Sequence, residues 1–304
     1  MGTFEEEEIG LLVEYSKPFE PIVPSLPSPL ASLARRPLPR RPRAILFDVY
    51  GTLFLSASGE IGTADSPSRE AHFLEAYRIV CGKTLPVSAG PIMARTYRGA
   101  IAEQHEASRA KGLPFPEVNI LAVWRAVLNR LDDAGLDVGP VDVEQLAIAY
   151  ETQSNPVWPM PDARSTLARM AGAGLPLGIV SNAQFYTPML FPALVGATIE
   201  ELGFQRDLVA FSYETGRAKP DAALFAAPLA SLLDRGIDST DVVYVGNDMR
   251  NDVWCARQAG CMTALFAGDR RSLRTRADDP ELRGLKPDTL IASLAELPGV
   301  CNLE

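Results

Sequence analysis

From Pro161 onward the chain alternates short apolar runs with helical patterns, and this alternation restricts the fold more than any other feature. Residues 177–180, 208–211, 242–245 and 262–266 each have the length and apolar character of a buried strand. Helical patterns over 162–173, 190–202, 221–233 and 252–259 separate them, the first and last stopped by Gly174 and Gly260. Strands that alternate with helices of this length imply right-handed crossovers and a parallel sheet with helices on both faces, an α/β fold. An earlier apolar run at 44–47 extends the pattern. It delivers Asp48 at its carboxyl end, ahead of a sharp turn at Gly51 and Thr52. Sheet polarity then brings Asp48, Ser181 and Asp248 to the same edge, where open α/β sheets bind ligands.

Between residues 57 and 156 the pattern is helical instead. After a polar link over 56–68, helices are expected over 69–80, 89–111, 117–131 and 143–152. Gly112 is a stop, and Pro156, Pro159 and Pro161 mark the return to the sheet. His72, Arg95, Arg98 and His105 in this insert are candidates to read a substrate, although a solvated helix face is the commoner meaning of such residues. Residues 1–43 read as a separate, proline-rich N-terminal extension. An acidic block, Glu5 to Glu8, is followed by prolines from Pro18 to Pro42 that forbid a continuous helix or central strand. Arg36, Pro39 and Pro42 fit a basic-x-x-Pro-x-x-Pro pattern, a candidate docking site for a polyproline-binding protein partner. A semi-rigid tether, or an arm packed along the core, is the plainer reading. The expected division is an extension of 1–43, a core of 44–56 and 157–304, and a helical insert of 57–156.

Charge and composition exclude several classes. A net charge of −9 argues against nucleic acid binding through phosphate neutralisation. No apolar run approaches the roughly 20 residues of a membrane span. The N-terminus lacks a basic-then-apolar signal, and Glu6 stands where a myristoylation signal needs Ser or Thr. Cys81, Cys255, Cys261 and Cys301 form no CxxC pair, so reduced thiols in a cytoplasmic protein are expected. The oligomeric state is left open.

The polar residues at the strand ends suggest a chemistry. A carboxylate at position 48 is a nucleophile when its attack leaves a stabilised charge, as in aspartyl-phosphate chemistry; alone, it is equally readable as the cap of a turn. Ser181 and Asn182 supply neutral donors suited to phosphoryl oxygens and, with Thr52, are the candidate phosphoryl-binding groups. Lys219, just before a Pro-initiated helix, would neutralise charge shared by nucleophile and substrate. Asp248 and Asp252, with Asp48 opposite, make an all-oxygen site suited to Mg²⁺. Each element is weak singly; four of them in order, each at a strand end, are hard to obtain by chance.

With these motifs the chain resembles the haloacid dehalogenase superfamily of hydrolases. Asp48 to Leu53 matches the family's first motif, a hydrophobic strand followed by Asp, x, Asp or another residue, and Gly-Thr-Leu. Ser181 falls on the second motif, Lys219 on the third and the 246–252 run on the acidic fourth. The resemblance covers residues 44 to about 267 and puts the insert at the place of the family's helical cap. It implies a Rossmann-like core, a small all-helical cap domain, a small-molecule substrate and attack by Asp48 through a covalent intermediate. It also implies Mg²⁺ held by Asp48, the Tyr50 carbonyl and the fourth motif. Two residues depart from the pattern. Where family phosphatases carry a second Asp as general acid and base, this chain has Tyr50; a phenol titrates near ~10 against ~3.9 for a carboxyl and does not shuttle protons in the same way. Asn247 stands where the principal metal-binding Asp is expected, with Asp248 one place later.

Three function classes follow. The first is a Mg²⁺-dependent, phosphatase-type hydrolase of a small phosphorylated metabolite with weakened acid/base catalysis, favoured by the retained Asp248 and Asp252. The second is a 2-haloacid dehalogenase-type C–X hydrolase, whose halide leaving group needs no proton and whose branch Tyr50 resembles, although the first Arg after motif one is Arg69. The third is a non-catalytic binding or regulatory protein on the same scaffold.

Overall fold

The computed structural model describes residues 6–57 and 67–303. The link expected over 56–68 lies largely outside the described residues, as do Glu5 and the side chain of Arg69. The strands are β1 (Ala44–Phe47), β2 (Phe54–Ser56), β3 (Val157–Pro159), β4 (Leu177–Ser181), β5 (Phe204–Phe211), β6 (Val242–Gly246), β7 (Met262–Phe266) and β8 (Thr289–Ile291). Six of them form a parallel sheet in the order β5-β4-β1-β6-β7-β8. β1 lies inside it, with Ile45 opposite both Leu177 of β4 and Val243 of β6.

The near-continuous apolar runs are explained by burial on both faces. Ile45, Phe47, Val243 and Val245 join one hydrophobic cluster, while Ala44, Leu46, Val242 and Tyr244 join another, as the twofold alternation of strand side chains requires. β8 was not expected, because three residues between turns carry too little pattern. β5 begins at Phe204 rather than at 208, its edge position tolerating the polar Gln205, Arg206 and Asp207. β2 and β3 pair antiparallel, Phe54 opposite Pro159, and tie together the two chain ends from which the insert leaves the core.

The insert consists of helices Pro67–Cys81, Ala89–Ala110, Ile120–Asp133 and Val143–Ser154 around a hydrophobic cluster of its own. The rings of Phe73, Tyr97, Trp124 and Tyr150 pack there with centroids 4.3–5.6 Å apart. The third helix starts at Ile120, not at 117. Asn119 caps it by accepting a hydrogen bond from the Ala122 N–H at 3.0 Å, which leaves the preceding residues extended. No described helix is long and apolar enough to cross a membrane.

Three expected helices differ in form. The span 190–202 holds only a π-helical stretch, Phe191–Val195, after the turn Thr187–Met189; Pro188 and Pro192 lack the N–H groups a regular helix needs, and Gly196 ends it in the left-handed region. The span 221–233 divides into Ala222–Phe225 and Ala226–Asp234. The helix expected at 252–259 begins earlier, as a π-helical stretch Met249–Trp254 capped by Asp248, and continues as Cys255–Gln258.

From Glu6 onward, the described N-terminal residues pack against the body. Helix Glu6–Tyr15 packs between Val143–Ser154 of the insert and Phe191–Val195 of the core, with Leu12 buried. Farther along, the Arg35 N–H donates to the Leu290 carbonyl (2.8 Å) and the Leu38 N–H to the Val300 carbonyl (2.9 Å), so the arm runs along the β8 edge. Leu33 and Leu38 are buried, and the proline-flanked basic segment lies on the core.

Candidate active site

The carboxyl ends of β1, β4 and β6 converge on one charged cluster. Asp48 follows β1 and is only 8% exposed. Its Oδ1 accepts hydrogen bonds from the Ser181 hydroxyl at the end of β4 and from the Lys219 ammonium, both at 2.8 Å. Among the described residues no hydrogen bond reaches its Oδ2. Lys219 also donates to Asp252 Oδ1 at 2.6 Å and to the Tyr244 hydroxyl at 2.8 Å. The Tyr244 hydroxyl in turn donates to the Val180 carbonyl at 2.6 Å. Burial pulls the Lys219 ammonium down, but the charges of Asp252 and Asp48 outweigh it, and its pKa lies above the ordinary lysine value. Burial pushes the Asp252 carboxyl up against the pull of Lys219, with the charges of Asp48 and Asp248 adding to the rise.

Local sequence explains these placements. Gly246 lets Asp252 approach the end of β6, since a Cβ there would fall 2.4 Å from the Asp252 Cγ. Gly51 has φ 81, and a Cβ on it would lie 2.6 Å from the Asn247 Nδ2. Asn182 holds the Lys219 segment by its backbone: its Oδ1 accepts from the Lys219 N–H at 2.6 Å and its Nδ2 donates to the Lys219 carbonyl at 3.1 Å.

A cavity of about 400 Å³ opens over this cluster between the sheet edge and the insert. The core contributes Asp48, Tyr50, Asn182, Lys219, Asn247, Asp248 and Asp252 to its wall; the insert contributes Tyr97, Ile101, His105, Val118 and Ile120. Of the insert residues singled out from sequence, His105 lines the cavity, whereas His72, Arg95 and Arg98 do not. Two expected phosphoryl-binding donors are otherwise engaged. Ser181 is fully buried and donates to Asp48, and Thr52 is fully buried and donates to Asn247 Oδ1 at 3.1 Å. Tyr50 hydrogen-bonds Thr187 Oγ1 at 2.9 Å, and burial raises its phenol well above the ordinary range.

The fourth motif is also occupied by protein partners. Asn247 Nδ2 donates to the Ser272 carbonyl at 2.7 Å. Asp248 Oδ1 accepts from the Arg250 and Asn251 N–H groups at 2.7 and 3.2 Å, and its Oδ2 accepts from Arg276 Nη2 at 2.6 Å. Among the described residues no three acidic, His or Cys side chains are gathered as cation ligands. Arg274, Arg276, Glu117, Gln184 and Tyr244 were not anticipated. The run Arg270, Arg271, Arg274, Arg276 just after β7 was a visible signal, whereas nothing in the local sequence marks Glu117 or Tyr244.

A sequence model of the family described as haloacid dehalogenase-like hydrolase matches residues 42–260, from two residues before β1 to Gly260, past the helix that follows the fourth motif. The chain belongs to that family of hydrolases. Ribulose-1,5-bisphosphate 5-phosphatase of Halopiger xanaduensis is 33% identical over 140 residues, covering 45% of this chain and 54% of that protein. Phosphoglycolate phosphatase of Yersinia pestis is 32% identical over 102 residues, covering 33% of this chain and 40% of that protein. The matched part thus spans about half the length of these curated relatives, or less. Among solved structures, a 2-haloacid dehalogenase from Pseudomonas syringae pv. Tomato is similar at 24% identity and a TM-score of 0.49, covering 86% of this chain and 98% of that one. A HAD phosphatase from Thermococcus onnurineus is similar at 20% identity and a TM-score of 0.48, covering 86% and 99%.

Proposed function

We propose that this hydrolase acts on a small phosphomonoester, with Asp48 as nucleophile. The observation that carries the reading is the asymmetry of Asp48: Oδ1 is tied to Ser181 and Lys219, while Oδ2 is without a hydrogen bond among the described residues, on the floor of the cavity. The phosphatase names of the curated relatives support it. In the first step an Asp48 oxygen forms a bond to phosphorus as the bond to the leaving-group oxygen breaks. Water then attacks phosphorus, the Asp48–phosphorus bond breaks, and phosphate is released with regeneration of the carboxylate. Lys219 holds Asp48 and neutralises part of the accumulating charge. Ser181 and Asn182 act here as positioning groups, on Asp48 and Lys219 respectively, and Thr52 steadies Asn247. Tyr50 keeps its proton, so leaving groups that depart without protonation are favoured.

The donor chemistry fits Mg²⁺, because the side chains of Asp48, Asn247, Asp248 and Asp252 on this wall of the cavity offer hard oxygens. Asp48, the Tyr50 carbonyl and Asn247 would hold it, with Asp252 behind them and Asp248 joining only when released from Arg276. Bound there, it would neutralise charge on the phosphoryl group. The boundaries that suit this reading are a core of 44–56 and 157–304 under a cap of 57–156. The unpaired Cys81, Cys255, Cys261 and Cys301 favour a reducing, cytoplasmic setting.

A second reading, C–X hydrolysis of a 2-haloacid, draws on Tyr50, since a halide leaves without a proton. Hydrolysis of an aryl phosphate with and without chelator, beside chloride release from 2-chloropropionate, separates the two. Chelator-sensitive phosphate release that is lost in Asp48→Asn is expected. Chloride release without phosphate release would replace the first reading by the second.

A further inference from the structure

A stretch of the insert reaches into the core beside both loops that carry the site. Residues 115–118, extended between two insert helices, pair antiparallel with the segment just ahead of Lys219. The Glu117 N–H donates to the Gly216 carbonyl and the Ala218 N–H to the Phe115 carbonyl, both at 2.9 Å. The Glu117 side chain extends this contact. Its Oε2 accepts from the Ser212 hydroxyl at 2.6 Å, and its Oε1 accepts from Gln184 Nε2 at 3.0 Å and from the Val118 N–H at 2.8 Å. Ser212 Oγ in turn accepts from the Ala183 N–H at 2.8 Å. The Gln184 N–H donates to Thr187 Oγ1 at 3.2 Å, the same oxygen that meets the Tyr50 hydroxyl.

One carboxylate therefore grips two loops. The loop after β4 carries Asn182, and the loop after β5 leads to Lys219; these two residues are themselves joined by the Asn182 clamp. Hydrogen bonds to an ionised acceptor are stronger and more directional than neutral ones, which suits a carboxylate to fixing loop positions. Burial pushes the Glu117 carboxyl up while Ser212, Val118 and Gln184 pull it back down. Glu117 lines the cavity, but both of its carboxylate oxygens are engaged by protein groups, so its function is exerted through other residues.

We propose that Glu117 is a positioning residue through which the helical insert sets the placement of Asn182 and Lys219, and thereby the geometry around Asp48. The inference rests on the reading of Asp48 as the reacting centre. A misplacement of about 1 Å at a reacting group costs on the order of 10²-fold in rate, so the effect belongs in kcat.

The test uses the full chain as wild type, Glu117→Ala, Glu117→Gln and Ser212→Ala, assayed on an aryl phosphate and by hydrogen exchange over 182–187 and 212–219. Glu117→Ala is expected to lower kcat by roughly 10–10²-fold with KM changed by less than about threefold, and to speed exchange in both loops. Glu117→Gln, which keeps the acceptor for Gln184 and Val118, recovers part of the loss. Ser212→Ala reproduces part of it and is non-additive with Glu117→Ala. Unchanged kcat and unchanged exchange overturn the proposal, as does a rise in KM alone. If the wild type turns over no phosphate ester, the phosphatase reading fails separately, and the exchange comparison decides whether Glu117 orders the two loops. Should Glu117→Ala fail to fold, Glu117→Gln and Ser212→Ala carry the same decision.

Discussion

The two walls of the cavity are built on opposite principles. On the core wall, Asp48, Lys219, Asp252, Asn182, Asn247 and Asp248 are each held by side-chain hydrogen bonds to named partners. On the insert wall, Ile101, Val118 and Ile120 present apolar surface, with Tyr97, His105 and Glu117 among them. The core wall thus fixes charges in a buried, low-dielectric setting where they act strongly on developing charge, while the insert wall supplies shape. The difference teaches where each kind of change should be felt: chemistry and stability at the sheet edge, substrate choice at the apolar residues of the insert, with Glu117 the insert residue that acts on chemistry through the core loops it holds.

The largest expected effect is on the core wall. Lys219→Met leaves Asp48 and Asp252 buried without their shared cation, and breaking such a pair costs about 3–5 kcal/mol. Urea denaturation should register that loss together with abolished turnover; a fully stable, active variant would mean the network is not the frame of the site. Next comes Tyr50→Asp. Supplying a carboxyl at that position should raise phosphatase kcat by about 10²–10⁴-fold if proton transfer limits the rate, and no gain would show that the core wall is not built around phosphoryl transfer. On the insert wall, Ile101→Ala should shift the ratio of kcat/KM between a bulky and a small phosphate ester by about 10-fold, leaving kcat on the small one nearly intact. Equal losses on both substrates would erase the distinction between the walls.

The smallest effect is a pH dependence at the junction. The folded-state pKa of Glu117 lies above its ordinary value of 4.5, so the folded chain binds this proton more tightly than the unfolded chain. Its favourable contribution is complete below about pH 4.5 and is lost as pH rises through the folded-state value. Relative to Glu117→Gln, the wild type should lose stability on raising the pH across that window, measured by thermal unfolding at matched ionic strength. A gap that widens in favour of the wild type with rising pH would reverse the assignment.

The core wall was far more legible in the sequence than the insert wall. Asp48, Ser181, Lys219 and Asp252 announce themselves because each ends or closely follows an apolar strand, and parallel topology forces such ends together. What those groups bond to was not legible. Ser181 and Thr52 were expected to face a phosphoryl group, yet their hydroxyls are turned to Asp48 and Asn247, a choice made by packing and not by spacing. The Arg276 partner of Asp248 lies 28 residues away on a loop, beyond any local pattern. Glu117 was absorbed into the helical pattern that runs on to Leu131, whereas Asn119 caps that helix and its first turn begins only at Ile120. The helix Glu6–Tyr15 was hidden by Gly10 and by the acidic block. Glu6, Glu7 and Glu8 in its first turn are what a helix N-terminus favours.

The central claim is that Asp48 attacks phosphorus, and isotope labelling tests it most directly. After multiple turnovers in H₂¹⁸O, the peptide containing Asp48 is weighed alongside the released phosphate. Attack of water on phosphorus, as the account requires, puts ¹⁸O in the phosphate and none in the Asp48 carboxylate, and borohydride reduction of enzyme quenched during turnover converts phosphorylated Asp48 to homoserine, which direct attack of water on the substrate would not yield. Label in Asp48 would mean that water attacks the carbonyl carbon of an ester intermediate, as carbon–halogen hydrolysis requires, and would contradict phosphoryl transfer at this site.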